Sequence, residues 1–276
     1  MPGDRNPRQV IDRLTFDVRR RFAEAGDSED RLRRTQTPGN RRMMAVYRAL
    51  REHLPVQETV RALELGVGHG ELVVPIAELF PSIHWTAIEH PKRRYLGKAS
   101  YRESLAAARC RVVAASLTAP PLPLRSASVD VATLSEVIEH LPSTSLLPLL
   151  REVHRVLRPG GRLIVTTPNL LALTYRLLLA LGRSPFDLPV ETSFAPETYG
   201  HIRLWGADEV KALACEAGLE PVDVRYETWM LGYYCFEDLG QRVAEKMLLG
   251  LDKTLGAIRP RLRDSWLLVV RRPVGS

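Results

Sequence analysis

The stretch VRALELGVGHGEL, residues 60–72, decides the fold class of this chain. It begins with an apolar run typical of a strand, and the residues that follow, GELVVPIAELF, have the spacing of a helix. Three glycines, Gly66, Gly68 and Gly70, stand between the two elements at every second position. Glycine permits positive φ and lets a ligand approach the backbone closely. In a doubly wound sheet, a turn of this kind lies at the carboxyl end of the first strand, where ligands bind.

The spacing of the glycines distinguishes this turn from the one that binds nicotinamide dinucleotides. That fingerprint, G-x-G-x-x-G, would need a glycine at position 71, where this chain has Glu71. The observed pattern is Glu64-x-Gly66-x-Gly68-x-Gly70. The turn therefore predicts a small-molecule site of another type.

Strands and helices alternate along the rest of the chain. Further runs typical of strands are IHWTAIE (83–89), CRVVAAS (110–116), SVDVATLS (128–135), RLIVTTP (162–168) and DSWLLVVRRP (264–273). Helical spacing separates most of them, and such alternation implies crossover connections. We therefore predict an α/β fold with a Rossmann-like, doubly wound, mostly parallel sheet of seven strands.

The same pattern predicts how the chain is organised. A helical N-terminal extension, expected to be a lid over the cofactor and the acceptor, occupies residues 1–59, and one α/β domain occupies residues 60–276. Two insertions interrupt this domain, a lid at residues 169–205 and a helical segment at residues 229–262 before the last strand.

Composition excludes several classes of protein. With 45% hydrophobic and 26% charged residues among 276, the chain has an ordinary globular composition. No apolar stretch reaches the roughly 18–20 residues that span a bilayer. The N-terminal MPGDRNPRQVIDR also lacks the apolar core of a signal peptide, so we expect a cytoplasmic protein. Three widely spaced cysteines indicate neither a disulfide framework nor a metal knuckle.

Three further motifs accompany the glycine turn. The second strand ends in Glu89, 23 residues after Gly66, where a carboxylate can accept both hydroxyls of a ribose. The fourth strand continues into SEVIEHLP (135–142), and the following helix ends in LRPGGRLIV (157–165). In this order, residues 60–228 resemble the class I S-adenosylmethionine-dependent methyltransferases, in particular the type 11/12 and ubiquinone-pathway O-methyltransferases.

The resemblance implies S-adenosylmethionine as the cofactor and assigns residues to its methionine part. Gly66, Gly68 and Gly70 would wrap this part, and Glu64 would help to order the turn. Ser135 would offer its backbone carbonyl to the methionine amine.

The resemblance also assigns residues to the adenosine part. Glu89 would bind the ribose, and Ser116 and Leu117, after the third strand, would flank the adenine. The aspartate that the family often has near Ser116 is absent from this chain.

A group of acids and histidines is the candidate for the chemistry. Glu136, Glu139 and His140 stand at i, i+3 and i+4 at the predicted start of a helix, so we expect them to share one face at the mouth of the crevice. His201, in YGHIRLW, follows in the lid. These four side chains would suit Mg²⁺, Mn²⁺ or Zn²⁺, and small-RNA 3′-terminal 2′-O-methyltransferases carry a similar set. The alternative is a metal-free site in which His140 is the base or orients the acceptor, with Glu136 as the other catalytic candidate.

The resemblance implies transfer of a methyl group to a small hydroxylated acceptor, namely a glycan, a glycolipid or a natural product, and favours O-methylation. Two alternatives stay open: an RNA 2′-O-methyltransferase with a divalent metal, and a cofactor-binding protein without turnover. The chain has no recognisable RNA-binding module, which argues against a nucleic-acid partner. The apolar stretch NLLALTYRLLLALGRSPFDLP (169–189) favours a buried lid helix. An apolar acceptor, a homodimer interface and transient contact with a membrane surface are the other interpretations.

Overall fold

The computed structural model describes residues 6–22, 29–54, 59–182, 184, 201–229, 250–251 and 254–275. The helices with bounds inside these ranges are α1 (Pro7–Phe22), α2 (Glu29–His53), α3 (Val73–Leu79), α4 (Ala99–Ala107), α5 (Ser143–Val156), α6 (Leu173–Ala180) and α7 (Ala207–Glu216). The strands are β1 (Val60–Leu65), β2 (Ile83–Glu89), β3 (Cys110–Ala114), β4 (Val129–Ser135), β5 (Leu157–Pro168), β6 (Glu220–Glu227) and β7 (Ser265–Arg271). Short 3-10 turns lie at Arg94–Gly97, Ile138–His140 and Pro260–Leu262.

The strands form one seven-stranded sheet in the order β3-β2-β1-β4-β5-β7-β6. The first five strands of this order are parallel, and β7 runs antiparallel to both β5 and β6. This confirms the predicted mostly parallel, doubly wound sheet. The strand order reverses between β1 and β4, and a crevice at the carboxyl ends of these two strands is where such a sheet binds its ligand.

The predicted N-terminal helical extension is present and belongs to the core. Successive residues of a strand face opposite sides of the sheet, and in β7 Leu267 and Val269 face a different core cluster from Leu268 and Val270. The first cluster includes buried side chains of both N-terminal helices, namely Ile11, Val18, Met43 and Leu50. Each of these side chains stabilises the fold by about 1.5–3 kcal/mol through burial, so the extension is a structural layer over the sheet.

The helix expected at Glu136 does not form, and this corrects the sequence-based placement. Residues Ile138–His140 make a 3-10 turn, and α5 begins only at Ser143. Pro142 explains the difference, because a residue before proline is driven out of the α region. Leu141 is accordingly extended, with φ −99° and ψ 145°.

The predicted lid is only partly inside the described residues, since 183 and 185–200 lie outside them. Within the described part, α6 buries Tyr175, which packs with Ala172 and Leu204. Leu179 and Leu181 are 58% and 75% exposed, so a lid helix buried all round is wrong for α6. A single small cluster anchors this short helix, with Leu178 packed against it, and leaves Leu177 and Leu179 exposed. The homodimer interface and the membrane contact stay predictions.

Most of the predicted insertion at 229–262 also lies outside the described residues. Among the helices that the structure does describe, none is both long and apolar enough to cross a bilayer.

Candidate active site

The glycine turn after β1 has the backbone conformation that its sequence predicts. Gly66, Gly68 and Gly70 have φ values of +83°, +53° and +89°. A Cβ at Gly66 would lie 2.8 Å from Cγ2 of Val137, and a Cβ at Gly70 would lie 2.8 Å from Cδ2 of Leu105. Apart from its chain neighbours, no described residue lies within 4 Å of a Cβ added at Gly68. Two glycines are therefore required by packing inside the protein, whereas Gly68 faces open space that a ligand can fill.

Glu89 connects the end of β2 to this turn. Its side chain is buried, and its Oε2 accepts a hydrogen bond of 2.8 Å from the N–H of Gly68. Its Oε1 accepts a hydrogen bond of the same length from the N–H of His90. On the other side of the turn, the hydroxyl of Tyr101 donates to the carbonyl of Gly68 at 2.9 Å. A carboxylate has about four acceptor sites. The hydroxyl of Tyr95 also hydrogen-bonds to Glu89, so about one acceptor site is left for a ribose hydroxyl.

The other predicted cofactor contacts lie at the same edge of the sheet. Ser116 and Leu117 follow β3, and the N–H of Ala115 donates to the carbonyl of Glu89 at 2.9 Å. Ser135 ends β4, next to the reversal of the strand order. The structure therefore brings these three residues to the crevice edge.

Glu64 lies inside the sheet, below the glycine turn. The hydroxyl of Thr133 on β4 donates a hydrogen bond to its Oε2. Burial raises the pKa of Glu64 to about 8, against a smaller lowering by the bond to Thr133. Its observed contact thus joins β1 to β4, and a role in ordering the turn stays a prediction.

Glu136 follows β4 in a strained backbone conformation. Its φ is +55°, in the left-handed region that side chains other than glycine rarely adopt. Burial and, to a smaller extent, the charge of Glu139 raise its pKa to about 7. Its Oε1 is buried and has no hydrogen-bond partner among the described residues. Such strain costs of the order of 1–3 kcal/mol and is concentrated at functional sites, so it supports Glu136 as a site residue.

Glu139 brings the lid to the crevice. Its carbonyl accepts the N–H groups of Ile202, at 2.8 Å, and Arg203. Its buried carboxylate accepts a hydrogen bond of 2.8 Å from the hydroxyl of Thr167. Burial raises the pKa of Glu139 to about 7, while hydrogen bonds to its carboxylate lower it.

The backbone contacts of Glu139 place His201 beside His140. The centres of the two imidazole rings are 5.1 Å apart. One ligand atom from each of Glu139, His140 and His201 lies within 4.8 Å of the other two. Glu136 is not a member of this group, because it precedes the 3-10 turn with its own left-handed backbone.

The N-terminal helices close the crevice from the opposite side. On α2, Nη1 of Arg42 lies 3.9 Å from Oε2 of Glu136. The charge of Arg42 lowers the pKa values of Glu136, Glu139 and Glu64, although burial outweighs it in each case. On α1, Nη2 of Arg19 lies 3.1 Å from Oε2 of Glu71, beside the glycine turn.

Sequence reasoning missed Arg42, Tyr101 and Thr167 as residues of this site. Arg42 is one arginine of a basic helical segment, and its spacing does not separate it from solvent-exposed neighbours. Thr167 lies in the predicted strand RLIVTTP at its carboxyl end. In a doubly wound sheet this position is near the ligand crevice, and that signal was available in the sequence.

Comparison with known proteins assigns the family. Residues 63–165 match the family described as "Methyltransferase domain". The 27-O-demethylrifamycin SV methyltransferase of Amycolatopsis mediterranei is 31% identical over 214 residues, which cover 75% of this chain and 73% of that protein. The chain belongs to the class I S-adenosylmethionine-dependent methyltransferases.

Two further comparisons concern the length of a relative and the fold. A probable S-adenosylmethionine-dependent methyltransferase of Mycobacterium tuberculosis is 33% identical over 189 residues, which cover 67% of this chain and 56% of that protein. This methyltransferase therefore spans about half the length of that relative. The crystal structure of magnesium protoporphyrin IX methyltransferase from Synechocystis has the same fold, with a TM-score of 0.56 at 14% identity over 96% of this chain and 97% of that one.

The site of this methyltransferase fits the cofactor of its family. Gly68 leaves space where a Cβ would stand, and its peptide is held on both sides by Glu89 and Tyr101. The buried carboxylate of Glu89 has an acceptor site left for a ribose hydroxyl. S-Adenosylmethionine, with a ribose between its methionine and adenine parts, suits this arrangement of donors, acceptors and open backbone.

Proposed function

We propose that this methyltransferase moves the methyl group of S-adenosylmethionine to a hydroxyl oxygen of a small molecule, such as a glycan, a glycolipid or a natural product. The observation that carries the proposal is the group of acids and imidazoles at the crevice, in which Glu139 is buried and Glu136, His140 and His201 are half-buried. A hydroxyl acceptor must lose its proton during the transfer, and such a group can receive it. The name of the Amycolatopsis relative, which refers to an O-demethyl compound, supports an oxygen acceptor.

The cofactor, when bound, supplies a sulfonium methyl group that is already activated. The chain therefore has to align the acceptor oxygen and hold its proton. In this proposal His140 receives the proton, and the carboxylate of Glu139, within 4.8 Å of it, stabilises the imidazolium. Glu136, whose Oε1 has no partner among the described residues, orients the acceptor hydroxyl.

A second form of this function uses a divalent metal. The ligand atoms of Glu139, His140 and His201 lie within 4.8 Å of one another, which is the observation that favours it. Ligand atoms around a bound Zn²⁺ or Mn²⁺ are roughly 3–4 Å apart, so a small side-chain movement would complete a three-ligand set. An ion held there would bind adjacent hydroxyls of the acceptor. Glu136 lies outside this set, so the metal form has three ligands where the sequence predicted four.

The first experiment measures cofactor binding. Calorimetric titration with S-adenosylhomocysteine, before and after chelator treatment, should show micromolar binding by the wild-type protein. Absence of binding would refute the methyltransferase function. Elemental analysis of the wild type and of His201→Gln separates the two forms. A stoichiometric metal that is lost in the variant supports the metal form. Metal-free wild-type protein whose binding of S-adenosylhomocysteine is unchanged by the chelator supports the form in which His140 receives the proton without a metal.

The second experiment measures transfer. Hydroxylated small molecules and short RNA are incubated with S-adenosylmethionine labelled with ¹³C at the methyl group, and NMR of the product identifies an O-, N- or C-methyl group. We expect an O-methylated small molecule, with turnover lost in His140→Gln and kept in His84→Gln, which changes an exposed histidine on β2. Methylated RNA would favour the RNA alternative, and binding without any transfer would favour a cofactor-binding protein.

A further inference from the structure

A cavity of about 750 Å³ lies between the two N-terminal helices and the end of β6. We call it the α1–α2 cavity. Its polar rim contains Arg8 and Arg13 from α1 and Arg41 and Arg48 from α2. Its volume is within the range of about 300–1,000 Å³ that is typical of small-molecule sites.

Apolar side chains form the other part of the cavity wall. Phe16 of α1 and Met44 of α2 both line it, and both are half-buried. Aromatic and thioether side chains provide an adaptable apolar surface. The α1–α2 cavity thus combines an apolar contact surface with a basic rim.

The acidic side chains that line the cavity already have partners among the other lining residues. Asp12 accepts a hydrogen bond of 2.6 Å from Nδ2 of Asn40, and Glu227 pairs with Arg48 at 3.1 Å. Arg13 and Arg41 have no ion-pair partner in the part of the chain that the structure describes. Guanidinium groups match carboxylates with two parallel hydrogen bonds, so the rim is suited to an acidic ligand.

The α1–α2 cavity lies on the same edge of the sheet as the candidate active site. Because β7 is antiparallel to both β5 and β6, β6 runs parallel to β5 and ends, at Glu227, on the carboxyl edge. Arg41 lines the cavity, and the next residue, Arg42, contacts Glu136. Successive helical residues point about 100° apart on a helix about 10–12 Å wide. Adjacent residues of α2 therefore face the cavity and the candidate active site.

We infer that the α1–α2 cavity binds the carboxylate end of an elongated, amphipathic acceptor, whose hydroxyl end lies at Glu136 and His140. The inference rests on the proposed function and adds a chemical class to it: a hydroxylated organic acid. Phe16 and Met44 contact the apolar middle of this acceptor, and Arg13 and Arg41 hold its carboxylate.

The test compares two probes of equal length, 12-hydroxydodecanoate and 1,12-dodecanediol, which differ in the carboxylate. Each is titrated into the wild type with and without saturating S-adenosylhomocysteine. The double variant Arg13→Gln/Arg41→Gln removes two rim charges. The double variant Arg20→Gln/Arg51→Gln is the matched control, since it removes two exposed charges from the same helices outside the cavity.

We expect the wild type and the control to bind the acid at least tenfold more tightly than the diol, and the rim variant to lose this preference. Raising the salt from about 50 mM to about 300 mM should weaken the preference, because it screens charges. Equal binding of the two probes by the wild type, or an equal loss in the control, would overturn the inference. S-Adenosylhomocysteine should bind all three proteins alike, so failure of the cavity is distinguished from failure of the methyltransferase function.

Discussion

The substitution Gly68→Ala tests whether the glycine turn is built for a ligand or only for the turn. The hydrogen bonds of Gly68 to Glu89 and Tyr101, at 2.8 and 2.9 Å, hold the two peptide groups on either side of its Cα. The backbone therefore cannot rotate to relieve an added Cβ at φ +53°. The left-handed conformation costs alanine about 1 kcal/mol, which lowers the melting temperature by about 2–4 °C.

The effect of Gly68→Ala on cofactor binding should be separate from its effect on stability, and it should be larger. The new methyl group enters space where no described residue apart from the chain neighbours lies within 4 Å, and it keeps ligand atoms about 3.5–4 Å away from its centre. We expect the Kd for S-adenosylhomocysteine to rise at least tenfold, which corresponds to about 1.4 kcal/mol. Isothermal titration calorimetry measures the Kd, and differential scanning calorimetry measures the stability.

Gly182→Ala is the matched control for this prediction. Gly182 has φ +68° and an exposed position after α6, and a Cβ added there would have no described residue within 4 Å apart from its chain neighbours. The Gly182→Ala protein should lose as much stability as the Gly68→Ala protein and should keep wild-type affinity for S-adenosylhomocysteine. The reasoning would be refuted by a Gly68→Ala protein that binds as tightly as the wild type, or by a control that loses as much affinity.

Three other substitutions test the charges and hydrogen bonds around the crevice. Burial raises the pKa of Glu64 from an ordinary 4.5 to about 8, so folding takes up a proton there between these pH values and the stability falls as the pH rises towards 8. Glu64→Gln should flatten this fall in unfolding free energy between about pH 5 and about pH 8 in urea denaturation, and an unchanged slope would contradict this. Arg42→Gln removes a charge that lowers the pKa of Glu136, so the acid limb of the plot of kcat/KM against pH should move to higher pH. The same movement in Arg51→Gln would show a general charge effect and would contradict a specific role of Arg42. Tyr101→Phe removes the hydrogen bond to Gly68, so it should cost about 1 kcal/mol of stability and weaken the binding of S-adenosylhomocysteine several-fold. An unchanged stability together with an unchanged Kd would mean that this hydrogen bond does not order the turn.

Local features of this protein could be predicted from its sequence because they depend on neighbouring residues. The positive φ of Gly66, Gly68 and Gly70 follows from their place between an apolar run and a helix. Glu89 at the end of β2 could be located by its distance from the same turn. The prediction for Glu136 to His140 as a helix failed because the helical spacing outweighed the effect of Pro142.

Contacts between distant segments were decided only by the tertiary structure. The sequence determined most of the elements, although not the 3-10 turn at Ile138–His140, and which end of each strand carries the site residues, since hydrophobic period and turn chemistry act over a few residues. Packing of α2 across the sheet decided that Arg42 faces Glu136, 94 residues later in the chain, and that Arg41 lines a cavity with α1 and β6. The physical reason is that period identifies the buried face of a helix but not the element that covers it. The partner depends on the order of the strands and on the shape of the whole core.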